Sequence, residues 1–438
     1  MSYTTTGAST ILLSPRPLAR YPGHFLLLPL LPYRPSLKPL PSEIWSKILA
    51  YVYQHYDCEL PGSLVQRDLL RQGLLLVCKD LKDVALPLFY EHVYINSLAR
   101  LERFAEHLHV SDQKWDSIRR IPYSTPGRWV QTLDLRELDI ASPAEAYRLD
   151  NALNLLFPLL PFLIRFMVSP SIVLSRRAVG GIATRPETVH LRVLKGIRFE
   201  SSSHVEPDHF VELLRACVGL EELSVIGTGV DMLDSSVSQE PLPFKPLHLP
   251  HLRKLVLLSL PCSPVMYALL HSPLPSLRHL TISPCDDTAV PCSLVPRFIH
   301  AHGAQLSSLH LFTAKTWPAT SSPSPPTLLT SCPALHHLSL ETPLPILMLP
   351  AFADAEPHPL CILSLPRPRP EFLAVLEALL PRLPALNTIR TRDVRWLRPG
   401  MSARAQQAGV QGEMVEWRRR FGRRGIQIVD SDWKTGLE

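Results

Sequence analysis

The residues best suited to chemistry in this chain are its 18 histidines and 8 cysteines. The histidines fall in close pairs: His107/His109, His248/His251, His300/His302 and His336/His337. A zinc site needs three or four converging ligands, usually His with Cys or carboxylates. The densest such group is Cys285 and Cys292 flanking Asp286 and Asp287. Its spacing matches no common zinc module, and the chain has no Cys-x-x-Cys pair. Cys78, Cys217 and Cys332 sit in apolar runs and read as reduced, buried thiols, which fits a reducing compartment. A Gly-x-Ser-x-Gly nucleophile turn, a phosphate-binding Gly-rich loop ending in Lys-Ser/Thr and a His-Glu-x-x-His helix are all absent. Gly227-Thr228-Gly229 reads as a turn. The sequence therefore predicts no active site, no metal and no cofactor.

Charge narrows the partners further. The formal net charge is +6 over 438 residues, too mild an excess to require nucleic acid. Its densest block, Arg418 to Arg424, reads as a solvated helix end whose arginines complement the helix dipole. No run reaches the roughly 18 uninterrupted apolar residues of a membrane helix, since Phe25–Leu31 is short and broken by Pro29. With 46% hydrophobic residues, the composition is that of a folded intracellular protein, cytoplasmic or nuclear, with neither membrane nor nucleic acid as partner.

What remains is a series of polar side chains at regular spacing that could hold a protein target: Asp134, Arg136, Glu222, Lys254, His279, Thr281, His310, His337 and Arg390. Each lies beside a leucine or isoleucine of a recurring phrase, Leu-x-x-Leu-x-Leu. Clear copies are Leu220/Leu223/Val225, Leu252/Leu255/Leu257, Leu277/Leu280/Ile282, Leu306/Leu309/Leu311, Leu335/Leu338/Leu340 and Leu360/Leu363/Leu365. Looser copies are Val130/Leu133/Leu135, Leu160/Leu163, Leu191/Leu194 and Leu386/Ile389. The middle residues recur about every 30 positions, the mark of a solenoid. Alternation at the end of each phrase predicts a short strand with its leucines inward and its neighbours on a concave parallel sheet. The chain's 45 prolines, many beside the phrase, suit turns and short return segments. Ten such strands are expected, with helical returns such as 210–217 and 373–380.

Along the chain, residues 1–36 are a Pro/Ser/Thr-rich lead-in expected to be disordered. A compact helical block covers 38–96, with helices expected over 40–50 (Ser42 as N-cap), 69–81 and 84–90. A linker helix falls in 97–124. The repeats occupy 125–395, with a Ser/Pro insertion at 317–326, and residues 396–438 form a C-terminal cap of a basic helix and a strand at 426–429.

The helical block opens on Leu40-Pro41-Ser42-Glu43-Ile44-Trp45-Ser46-Lys47-Ile48-Leu49, continues with Leu76-Val77-Cys78-Lys79 and closes on Leu86-Pro87-Leu88-Phe89-Tyr90-Glu91-His92-Val93. These three pieces, in this order and followed by leucine-rich repeats, resemble fungal F-box proteins of the leucine-rich-repeat kind. Two departures stand out. About twenty residues, from Tyr53 to Gln72, separate the first two pieces, and Leu81 stands where the family often has tryptophan. The resemblance implies an α/β fold: a small N-terminal helical F-box-like domain followed by a curved leucine-rich-repeat solenoid with a parallel sheet on its concave face.

It also implies a function. Leu40, Pro41, Glu43, Ile44, Ile48, Leu49, Val77 and Cys78 would dock a Skp-type adaptor, and through it a cullin ubiquitin ligase. The repeats would hold a target protein, and the chain itself would catalyse nothing. A block this small cannot bury all its apolar surface, so Leu40, Pro41, Ile44 and Leu49 suit a partner's groove, each worth roughly 1.5–3 kcal/mol when buried. The competing expectation is a repeat scaffold that meets no ligase. In that case Leu40 and Pro41 would be buried against the repeats.

Overall fold

Twelve apolar side chains, one per strand, stack in a single row through the structure: Val93, Leu133, Phe166, Leu194, Leu223, Leu255, Leu280, Leu309, Leu338, Leu363, Ile389 and Ile428. All but Val93 are buried. The structure is a computed structural model that describes residues 40–59, 71–113, 125–199, 208–227, 245–284, 293–313, 324–349, 357–396 and 410–435. The lead-in at 1–36 lies outside these residues, as does most of the 317–326 insertion.

The strands are β1 (His92–Tyr94), β2 (Thr132–Leu135), β3 (Arg165–Val168), β4 (Val173–Leu174), β5 (Val193–Phe199), β6 (Glu222–Ile226), β7 (Lys254–Leu258), β8 (His279–Ile282), β9 (Ser308–Leu311), β10 (His337–Ser339), β11 (Ile362–Leu365), β12 (Thr388–Thr391) and β13 (Gln427–Val429). They form one open, wholly parallel sheet in chain order, with β4 off the path beside β5. Parallel neighbours need a return segment between them. The returns include helices α4 (Pro143–Leu156), α5 (Arg176–Ala183), α6 (His209–Ala216), α7 (Pro264–Leu270), α8 (Val295–His302), α9 (Leu328–Ser331) and α10 (Pro370–Leu379), whose buried faces join one continuous core with the strand leucines. Serines and aspartate cap several of them: Ser142, Ser175 and Ser263 each accept a backbone N–H three residues on, and Asp208 accepts two.

Two backbone features keep the array in register. The residue two before each anchor donates its N–H to its counterpart in the preceding repeat, from Gln131→Glu91 through Ile164→Gln131 and Arg192→Ile164 to Asn387→Cys361, at 2.8–3.0 Å, and Gln427, one before Ile428, donates to Asn387. Within β5 the register shifts between Leu194 and Ile197. Gly196 makes this possible: its φ is +72°, and a Cβ there would collide with the carbonyl of Val168.

Several sequence expectations need correction. The second repeat is anchored by Phe166, which pairs with Leu133 and Leu194. Leu163 instead takes the place of Val130 and Leu191, its N–H closing the turn that precedes the strand. The described residues hold thirteen strands where ten repeat strands and one cap strand were expected, because β1 extends the sheet at its start and β4 lies off the path beside β5. β1 lies inside the block assigned to 38–96, and β13 adds the strand expected at 426–429. Helix α3 (Leu98–Gln113) buries Leu98, Leu101, Ala105 and Leu108 in the common core, so it is packed into the array and does more than link.

The helical block also differs in detail. Helix α1 runs over Ser42–Glu59, and the carbonyl of Pro41, one residue earlier than the expected cap, accepts the first N–H groups, from Ile44 and Trp45. Residues 71–75 are helical, the chain breaks at 76–78, and a single helix α2 spans Lys79–Glu91 across the break expected at 81–84. Cys78 is its N-cap, with Sγ accepting the N–H of Leu81 at 3.4 Å. Cys78 is therefore exposed and not the buried thiol its apolar neighbours implied. Cys217 and Cys332 are buried, and burial pushes both thiols up to about 12.

Candidate functional site

Helix α1 carries two apolar faces. Leu49 and Tyr53, one turn apart, are 3% and 5% exposed, and Ala85 of α2, which packs against α1, is buried too. The guanidinium of Arg71 lies 4.9 Å over the Tyr53 ring and donates to the carbonyl of His92, tying the block to β1. On the opposite side Leu40, Ile44, Ile48 and Tyr51, at near-helical spacing, are all exposed, at 48%, 41%, 40% and 67%. Leu49, expected among the residues that would dock a partner, is buried instead. One residue after Ile48, it is rotated about 100° around the helix and fills the block's own core. Pro41 and Glu43 are exposed beside the outward stripe, and Trp45 is 38% exposed.

Between the helices, Leu76 and Val77 are 85% and 66% exposed, and Cys78 follows. Together with α1 they hold seven of the eighteen large apolar side chains exposed among the described residues. Scattered exposed apolar residues are ordinary, whereas these seven fall in two short stretches, 40–51 and 76–77.

The expected target-binding residues share the sheet face opposite the helices. One row reads Glu222, Lys254, His279, Ser308, His337, Ile362, Thr388 from β6 to β12. The adjacent row reads Ser224, Val256, Thr281, His310, Ser339, Ser364, Arg390. Asp134 lies in the second row further up the sheet, on β2. It is buried, and its carboxylate is held by Arg136, whose Nη2 donates at 2.7 Å and whose Nε and backbone N–H also bond it. Arg136 itself follows the strand and is exposed. Glu222 pairs with Lys195 at 2.6 Å. Burial raises its carboxyl, but Lys195, Lys254 and Arg165 outweigh that and leave it lowered.

Further along, His310 Nε2 is 3.2 Å from His337 Nδ1, and His337 Nε2 is 2.9 Å from Ser364 Oγ. Burial, joined by the charges of Arg390 and Arg392 and the neighbouring imidazoles, lowers both histidines, His337 to about 4. Arg390 donates to the carbonyl of Ser431 and stacks 4.4 Å from the Trp433 ring.

Other histidines are structural. His302 and His358 are buried and reach the carbonyls of Leu269 and Cys332 in the preceding repeats. Among the described residues, no three His, Cys, Asp or Glu side chains gather as a metal site would require. Cys285, Asp286, Asp287 and Cys292 lie outside the described residues, as does Thr228-Gly229. No described helix is long and apolar enough to cross a membrane. Arg418, Arg419 and Arg420 of the arginine run lie on α11 (Val410–Gly422), whose Met414, Trp417 and Phe421 face the core, and Arg423 and Arg424 fall in the turn after it. Arg420 pairs with Glu416 and Glu377, and Arg418 lies over the Trp396 ring.

One further feature is announced by no motif. A cleft of about 670 Å³ opens between α2 and the turns that enter the first repeats, lined by Pro87, Leu88, Trp129, Phe162, Ile164, Val189 and the Arg192–Glu221 ion pair among others. Its walls come from turn positions whose residue types follow no pattern, so only the register of the strands could have brought them together.

No protein-family model and no curated protein matches the chain. Among solved structures, the complex of Rad7 and Elc1 from yeast aligns with 82% of this chain and 92% of that chain at 12% identity, with a TM-score of 0.27. A score of that size carries no argument about fold or function.

Proposed function

We propose that this chain is a non-catalytic recruiting subunit. Its N-terminal helical block docks a Skp-type adaptor of a cullin ubiquitin ligase, and its repeats hold a target protein. The mechanism is proximity: a target held on the same rigid body as the ligase meets the ubiquitin-charged enzyme at high effective concentration.

One observation carries the reading. Leu40, just before α1, and Ile44 and Ile48 on its outward face are left exposed, while Leu49 and Tyr53 on the inward face are buried. A helix apolar on both sides is completed by a second body. Its residues are those of the F-box-like phrase. A free-standing scaffold would bury Leu40 and Pro41 against the repeats, yet both are exposed. Capture of a Skp-type adaptor by the full chain, with and without charge placed on this face, tests the proposal.

A further inference from the structure

From β7 to β12 the sheet face opposite the helices holds no carboxylate in either row. It offers Lys254 and His279, both exposed, then His310, His337 and Arg390. The nearby acids are committed elsewhere. Glu341 pairs with Arg392 at 3.0 Å. Asp430 accepts the backbone N–H groups of Trp396, Asp432 and Lys434, and Asp432 lies 3.4 Å from Arg395. The earlier half of the face is different, because Arg136 neutralises Asp134 and Lys195 neutralises Glu222. At the far end, Nε of Arg390, Nε of Arg392 and Oγ of Ser339 are buried without a hydrogen-bond partner.

We propose that the face from Lys254 to Arg390 is a docking surface for an extended acidic segment of a partner protein. This deepens the reading that the repeats hold a protein target. The two cations stand five strand spacings apart, about 24 Å at about 4.8 Å each. Roughly seven extended residues cover that span. Carboxylates on such a segment meet Lys254 and His279 at one end and Arg390 at the other. Between these ends the half-buried Thr281 offers a neutral hydrogen-bonding group, and the half-buried Val256 and Ile362 offer apolar contact. A nucleic-acid backbone carries charge at every step and calls for Lys or Arg in each repeat, whereas this face has a formal cation only at its ends.

The test uses the full chain and a fluorescein-labelled eight-residue glutamate peptide, read by anisotropy at pH 7 and low salt. A glutamine peptide and a single-stranded oligonucleotide of the same length serve as competitors. The glutamate peptide should bind, bind more weakly as salt rises, and lose about tenfold or more in affinity to the surface variants Lys254→Glu and His279→Glu. The glutamine peptide should not compete. The proposal is overturned if the folded wild type does not bind the glutamate peptide, if these variants bind it as the wild type does, or if the oligonucleotide competes more strongly than unlabelled glutamate peptide. No adaptor is present, so a negative result leaves the ligase reading standing, and failed adaptor capture leaves this surface untested by that assay and measurable by this one.

Discussion

His310 on β9 and His337 on β10 share a hydrogen bond, Nε2 to Nδ1 at 3.2 Å, in the middle of a face where Lys254, Arg390 and Arg392 are the nearby fixed charges. A neutral pair makes this bond, with one imidazole donating and the other accepting. Adding a proton there puts a further cation beside two arginines.

A pH dependence follows. His337 falls from the ordinary imidazole value of 6.5 to about 4. His302, His310 and His358 are lowered too, burial being the first cause in each. Groups lowered on folding bind more protons when unfolded, so their contribution to stability is full above pH 6.5 and shrinks as pH falls toward 4. Thermal midpoints measured between pH 7.5 and 4 should drop through this window, and less steeply for His337→Gln. An identical slope in that variant would remove His337 from the account.

The anchor row should dominate stability. Leu255→Ala empties a fully buried site in the middle of the array and should destabilise by about 2–5 kcal/mol. Lys254→Ala, on the exposed face one residue away, should change stability by no more than about 0.5 kcal/mol. Chemical denaturation of the two variants checks the contrast.

Gly196→Ala places a Cβ against the Val168 carbonyl at a positive φ and should destabilise the array by more than about 1 kcal/mol. Gly180→Ala meets open space on α5 and should be neutral or slightly stabilising. Equal midpoints for these two variants would mean that the β5 register shift needs no glycine.

Thiol labelling separates the cysteines. Cys78 and Cys262 are exposed, whereas Cys217 and Cys332 are buried and shifted upward. Site-resolved mass spectrometry after brief alkylation at pH 7.5 should find Cys78 and Cys262 modified, and Cys217 and Cys332 modified only after unfolding.

The repeat was legible because its leucines combine two periods, alternation within a strand and recurrence about every 30 residues. Nine of the ten predicted anchors align as strand partners. The exception arose where Leu160, Leu163 and Phe166 follow at three-residue steps, so that the phrase fits two registers and only the pairing with Leu133 selects one. β1 was hidden because its three residues, His92–Tyr94, lie inside the helical motif and lack the phrase. On α1, Ile48 and Leu49 are both apolar and adjacent, and sequence alone could not tell which faced the block's own core. The cleft beside α2 was illegible for a different reason: it is made of turn residues joined only through the sheet register.

Adaptor docking through α1 is read by co-purifying the full chain with a Skp-type adaptor, beside the double variant Ile44→Asp/Ile48→Asp. Both positions are exposed, so the variant should keep the wild-type circular dichroism spectrum and thermal midpoint. The wild type should form a one-to-one complex, and the variant should lose at least a hundredfold in affinity, about 2.7 kcal/mol or more. A folded wild type that captures no adaptor, or a variant that captures it equally well, would contradict the claim.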